Sequence, residues 1–258
     1  MSKPGLIIHF SEQSLAQIIA SSLEAFVIPH ETELSHYTGI ETFMTLWGSE
    51  TQTAEISCIN VAFAIPSTSA ERDYSSVSPS HPASMVKRDF ITAYFPQYQL
   101  IGDIHTHPYI RGRSKNVTPA RIREEQLYAL SPADIESCLI DPVDKMASGY
   151  RVSAVLTMTD MLKENTTLDG QLANNVIEFS LNNYKCWLTC SGFHYIPVDG
   201  LSSADQELFA TDPQCEEGGI VMVLTDDVRI HAPALLGLVE HQPFGSVTGK
   251  RKLRHVEG

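Results

Sequence analysis

Leu100-Ile101-Gly102-Asp103-Ile104-His105-Thr106-His107-Pro108 is an apolar, β-rich run that carries two histidines two residues apart. In a strand that spacing puts both imidazoles on one face, where they can grip a single metal ion. Neutral imidazole suits zinc and similar borderline cations, and a hydrolytic zinc site takes three protein ligands and leaves a fourth position for water. The pair therefore needs a third ligand from elsewhere in the chain. By itself, until a carboxylate joins it, the pair reads more readily as two surface histidines near a strand end.

The chain around this stretch has 258 residues, enough for one elaborated domain or for one domain with a small appendage. A net charge of −13 argues against a nucleic-acid footprint, which normally needs a basic face to neutralise phosphates. Cys58, Cys138, Cys186, Cys190 and Cys215 are odd in number and widely scattered, and no charged, apolar, cleavable leader precedes the first strand. The expected compartment is a reducing cytoplasm. No apolar run approaches the ~20 residues that a membrane helix requires.

Upstream, Leu6 to Phe10 reads as a strand, and Ser11 can cap a helix with Leu15, Ile18, Ile19, Leu23 and Phe26 at helical spacing before Pro29. Ile40 to Trp47 reads as a strand entered through Gly39 and left through Gly48, with Glu41 at its beginning. Ile56 to Ile65 is a further strand, Ser67 to Ser84 a long polar loop, and Met85 to Tyr94 a helix. Downstream, Tyr109 to Leu130 is polar and holds Arg111, Arg113, Lys115, Arg121 and Arg123. Ser131, Pro132 and Asp134 then form an N-cap, a first-turn proline and a first-turn acid, and capping alone accounts for all three. Tyr150 to Met158 is a strand. Val176 to Leu181, Tyr184 to Cys190 and Phe193 to Val198 form a meander turning at Asn182-Asn183. Cys186, Cys190 and His194 are spaced for a helix in a segment that reads as strand, so they belong to the core. Beyond Asp199 come an acidic loop with Glu216, Glu217 and Gly219, two short strands turning at Asp226-Asp227, and a tail with Lys250, Arg251, Lys252 and Arg254.

Taken together, Glu41 in an early strand, His105-x-His107-Pro108, and Ser131-x-x-Asp134 at a helix start resemble the JAMM (MPN-plus, JAB domain) zinc metalloprotease family. Thr38-Gly39-Ile40-Glu41-Thr42 with Leu46-Trp47-Gly48 is similar to the family's acid-bearing strand, and the order of elements agrees. Ser131 lies 24 positions after His107, where the family usually has eight, so Tyr109 to Leu130 carries an insertion. Ser114 has no acid three positions on, and Asp134 is the better ligand.

The resemblance implies an α/β (α+β) fold with a central mixed sheet flanked by helices in a cytidine-deaminase-like layout. Residues 1–198 would form the metalloprotease domain, with an insertion at 109–130, and 199–258 a β-rich C-terminal extension. It also implies that His105, His107 and Asp134 hold Zn2+, that Glu41 is the general base and that Ser131 donates a hydrogen bond to the attacked carbonyl oxygen. The expected activity is that of a deubiquitinase-like isopeptidase of bacterial type. Such an enzyme hydrolyses the amide after the C-terminus of a ubiquitin-like protein. Two alternatives stand beside it: a peptidase or amidase acting on a smaller amide, and a metal-free scaffold of the same fold. For residues 199–258, a docking tail and a peripheral addition to the sheet are both compatible with the sequence. The arginines of the insertion are expected to be available to an acidic protein partner.

Overall fold

β1 (Gly5–Phe10) buries every second residue, Leu6, Ile8 and Phe10, as a strand with one core face must. The structure is a computed structural model that describes residues 5–32, 35–53, 56–72, 77–78, 80–111, 113–114, 117–140, 150–163, 166–197, 220–225 and 227–235. Ser11 caps α1 (Glu12–Val27), its hydroxyl accepting the Ser14 N–H at 3.1 Å and donating to Ala62 O at 2.8 Å. Leu15, Ile18 and Phe26 enter the main core, and Ile19 and Leu23 pack against it, so the helical spacing identified the buried face. A small hairpin follows, β2 (His30–Thr32) with β3 (Ser35–Tyr37).

β4 (Phe43–Gln52) departs from expectation at both ends. It starts at Phe43, not Ile40, because Gly39 turns the chain with φ 67° and the Thr42 N–H bonds to the Thr106 side chain, outside the backbone ladder. It also continues through Gly48. The ladder to β5 (Ile56–Pro66) shifts register between Trp47 and Gly48, and a Cβ at Gly48 would lie 1.8 Å from Asn60 O. That glycine permits close strand approach and does not end the strand.

The expected long loop contains β6 (Glu71–Arg72) paired with β7 (Val77–Ser78), and α2 (His81–Tyr94) begins before Met85, with Pro82 in its first turn. β8 (Gln99–Tyr109) carries the two histidines. After it come α3 (Pro119–Glu124), α4 (Pro132–Ile140) and β9 (Tyr150–Asp160). β10 (Gly170–Ala173) and β11 (Val176–Leu181) lead to β12 (Tyr184–Pro197) through a turn in which Asn182 has φ 54°. The two strands expected between Tyr184 and Val198 are one. Pairing with β9 runs without a break from Tyr184↔Asp160 to His194↔Tyr150, so Ser191-Gly192 does not interrupt it.

The result is a mixed α/β fold with one large curled mixed sheet and few helices. Strand order is β10-β11-β12-β9-β8-β4-β5-β1-β14, with β13 (Ile220–Leu224) on β12 and β14 (Val228–His231) parallel to β1. β8 lies antiparallel to β4 and parallel to β9. The sheet curls until the Ile230 N–H donates to Asn174 O at 2.8 Å, and α1 packs on the core it encloses. β13 and β14 thus add to the main sheet. The acidic loop with Glu216, Glu217 and Gly219, Asp226, the basic tail from Lys250 to Arg254, and Lys115 lie outside the described residues. Among the described residues, no helix is long and apolar enough to cross a membrane.

The segment between β8 and α4 is docked on the sheet. Ile122 and Tyr128 form a second apolar cluster with Val176 and Trp187. Beside it, Arg123 Nε donates to Glu178 Oε2 at 3.1 Å, and the Trp187 indole N–H donates to the same oxygen at 2.8 Å. Glu178 is fully buried, and Lys185 completes its charge pairing at 2.9 Å. The other described arginines of the segment are also engaged within the chain. Arg121 pairs with Glu125 at 2.8 Å, Arg111 with Asp160 at 3.6 Å, and Arg113 donates to Thr38 O at 2.8 Å. Charge counted along the sequence does not reveal such pairing.

Candidate metal centre

β8 delivers His105 and His107 to one face, as its period of two requires. α4 delivers Asp134 in its first turn. The separations are 3.1 Å between the two Nε2 atoms, 3.4 Å from His105 Nε2 to Asp134 Oδ1, and 3.4 Å from His107 Nε2 to Asp134 Oδ2. Tetrahedral geometry with zinc–donor lengths of about 2.0–2.1 Å puts neighbouring donor atoms about 3.3 Å apart. The two 3.4 Å separations run to different carboxylate oxygens; with one donor atom taken from each residue the three lie within 4.8 Å, so the group could hold a metal ion. Among the described residues it is the one cluster of three or more such side chains whose donor atoms converge, all lying within 4.8 Å of one another. The three side chains are 10%, 13% and 25% exposed, so the centre is sheltered yet reachable.

Reciprocal capping aims Asp134. The Ser131 N–H donates to Asp134 Oδ2 at 2.7 Å, and the Asp134 N–H donates to Ser131 Oγ at 3.1 Å. Capping and metal ligation are therefore compatible here, since the cap leaves Oδ1 directed at His105. Burial alone would push the Asp134 carboxyl upward, but hydrogen bonds from His105 and His107, with Ser131 assisting, hold it well below the usual carboxylate range. It remains an anionic donor.

Glu41 is half-buried immediately before β4. Glu41 precedes Thr42, which is tied to Thr106 between the two histidines, and the Tyr109 phenol feels the charges of both Glu41 and Asp134. Thr106 secures that tie. Its Oγ1 accepts the Thr42 N–H at 2.9 Å, and its own N–H donates to Thr42 O at 3.1 Å. A Cβ at Gly39 would meet the Ile110 side chain at 2.7 Å and force it to shift, and the positive φ of the turn ahead of Glu41 favours glycine.

All five residues singled out in the sequence thus lie on, or at the start of, elements that meet at this centre. His105, His107 and Asp134 share it directly, Ser131 caps the helix beside it, and Glu41 immediately precedes β4. Sequence reasoning missed Thr106 and Tyr109. Tyr109 continues the period-two series after His107, and its phenol is pushed upward by burial and by the charges of Glu41 and Asp134. The available signal was the alternation itself. Cys186 and Cys190 are fully buried within β12, where burial pushes both thiols up and makes them unsuited to metal binding as thiolates.

No family model matches the sequence, and no curated protein matches it.

Proposed function

We propose that this chain is a zinc-dependent hydrolase of the JAMM (MPN-plus) type, with the corresponding sheet-and-helix layout, acting on the amide that joins the C-terminus of a ubiquitin-like protein to an amine. One observation carries the reading. Two segments far apart in the chain bring a His-x-His pair and a capped Asp together as a group that could hold a metal ion, with the charge of Glu41 felt beside it at Tyr109.

In this reading His105, His107 and Asp134 hold zinc. When bound, zinc would supply charge that polarises the scissile carbonyl and lowers the pKa of a water toward ~7. Glu41 takes the proton from the attacking water and later delivers it to the leaving amine, so the products are a carboxylate and a free amine. The Ser131 hydroxyl accepts the Asp134 N–H and retains its own proton to donate to the carbonyl oxygen as negative charge develops there. Asp134 would stay ionised in that site because the cation and the helix N-terminus both favour its charge.

Elemental analysis and cleavage of a panel of ubiquitin-like fusions test this together. The parent is expected to contain one zinc per chain and to release the fused amine. His105→Ala and Asp134→Ala should lose zinc, whereas Glu41→Gln should keep zinc and lose turnover. A parent protein without stoichiometric zinc would overturn the metalloenzyme reading in favour of a scaffold. A zinc protein that cleaves small amides but no fusion would overturn the substrate class alone.

A further inference from the structure

Asp103 lies one period-two step before His105 on β8, on the same face as both histidines. Its Oδ2 accepts from Arg151 Nη2 at 2.7 Å and from Arg151 Nε at 3.3 Å, while Oδ1 accepts the Ser153 hydroxyl at 2.9 Å. Arg151 and Ser153 flank Asp103 from the neighbouring strand β9, and the two charged side chains are 6% and 8% exposed. The third arm of the guanidinium leaves the sheet. Arg151 Nη1 donates to Cys138 O at 3.2 Å, in the last turn of α4.

We infer that Asp103 and Arg151 are positioning residues for the metal centre, setting the height and tilt of α4 so that Asp134 meets both histidines. The inference rests on the reading that this triad holds a metal. Two spacings support it. Cys138 follows Asp134 by one turn on the same helix face, about 6 Å along the axis. Asp103 and His105 are separated by about 6.7 Å along the strand. Helix and strand therefore face each other as two matched rungs, Asp134 against the histidines and Cys138 O against Asp103 through Arg151.

The chemistry of the linker fits that task. The carbonyl of Cys138 lies in the last turn of α4 and accepts from Arg151 Nη1, a donor supplied from another element of the fold. A positive group at the helix C-terminus and an anionic ligand in its first turn both accord with the helix dipole. The planar guanidinium holds the carboxylate through two of its nitrogens and the carbonyl through the third, a fixed fork that a lysine cannot reproduce.

Zinc affinity, measured by competition with a chromophoric chelator, and the absorption spectrum of the cobalt(II)-substituted protein test the inference without using turnover. Three variants are compared with the parent. Asp103→Asn removes the charge, Arg151→Lys keeps charge but loses the fork, and Ile8→Ala opens a cavity in β1, beyond β4 and β5 from the histidine strand. The expected result is a loss of zinc affinity of about 10- to 100-fold in both clamp variants, typical of removing a group that orients a ligand, with an altered cobalt spectrum. Ile8→Ala should lower Tm and leave affinity and spectrum at the parent values. If Asp103→Asn fails to fold, Arg151→Lys alone decides. Parent-like affinity and spectrum in the folded clamp variants overturn the inference, as does an equal affinity loss in Ile8→Ala, which would trace the effect to general destabilisation. A parent that binds no zinc instead removes the reading on which the inference rests.

Discussion

Thr106→Val separates the placement of Glu41 from the metal ligands. Thr106 and Thr42 are 3% and 2% exposed, and the bond from the Thr42 N–H to Thr106 Oγ1 is 2.9 Å long. Valine conserves volume but puts a methyl group where the oxygen accepted. The buried N–H then has no acceptor, a loss of about 1–3 kcal/mol. At about 2–4 °C per kcal/mol for a chain of this size, the expected fall in Tm is about 2–12 °C. The consequence for function is local, because the lost bond adjoins Glu41 while His105, His107 and Asp134 make none of their contacts through it. If Glu41 is the general base of the proposed hydrolase, its displacement by about 1 Å should slow turnover by about 10²-fold, with zinc content unchanged. Thr106→Ser restores the acceptor and should recover most of the rate. Differential scanning calorimetry, elemental analysis and fusion cleavage on the three proteins read these outcomes. An unchanged Tm with an unchanged rate would refute the reasoning, since it would mean that the Thr42 N–H does not depend on the hydroxyl and that Glu41 is held by other contacts.

Three further outcomes are expected. Ser131→Ala removes the acceptor of the Asp134 N–H and should cost about 1 kcal/mol in denaturant titration, together with a rate loss of about 10²-fold and intact zinc; a near-normal rate would assign the carbonyl-oxygen contact to another group. Arg123→Met, which strips one partner from buried Glu178, should destabilise by about 1–3 kcal/mol, whereas Arg121→Met, at an exposed helical pair, should leave the urea midpoint unchanged. Burial first, and then the charge of Asp103, push the Cys138 thiol up to about 11 from 9.0. Because the folded value exceeds the unfolded one, its contribution is fully present below about pH 9 and is lost as pH rises through about 11. Urea titrations at mildly and strongly alkaline pH should show a smaller alkaline loss in Cys138→Ala than in the parent, and equal losses would contradict the assignment.

Local patterns legible in the sequence include the two-residue spacing of His105 and His107, the capping signature of Ser131 and Asp134, and the apolar stripe of α1. Each depends on the geometry of a single element, and strand alternation and helix capping operate within a few residues. Strand ends were less legible. Gly48 read as a stop and proved to be a point of close approach, and Ile40 to Thr42 lay outside the ladder because a side chain, Thr106, took the Thr42 N–H. The arginines of the insertion read as available to an acidic partner, yet Arg111, Arg113, Arg121 and Arg123 each make a contact within the chain and Ile122 sits in a core of its own. Those outcomes depend on which distant groups arrive nearby, and a linear sequence does not state that. The same holds at the centre itself. Sequence supplied the donor types, while the 3.1–3.4 Å separations, the Thr42–Thr106 link beside Glu41, and the Asp103–Arg151–Cys138 link exist only after β4, β8, β9 and α4 have packed together.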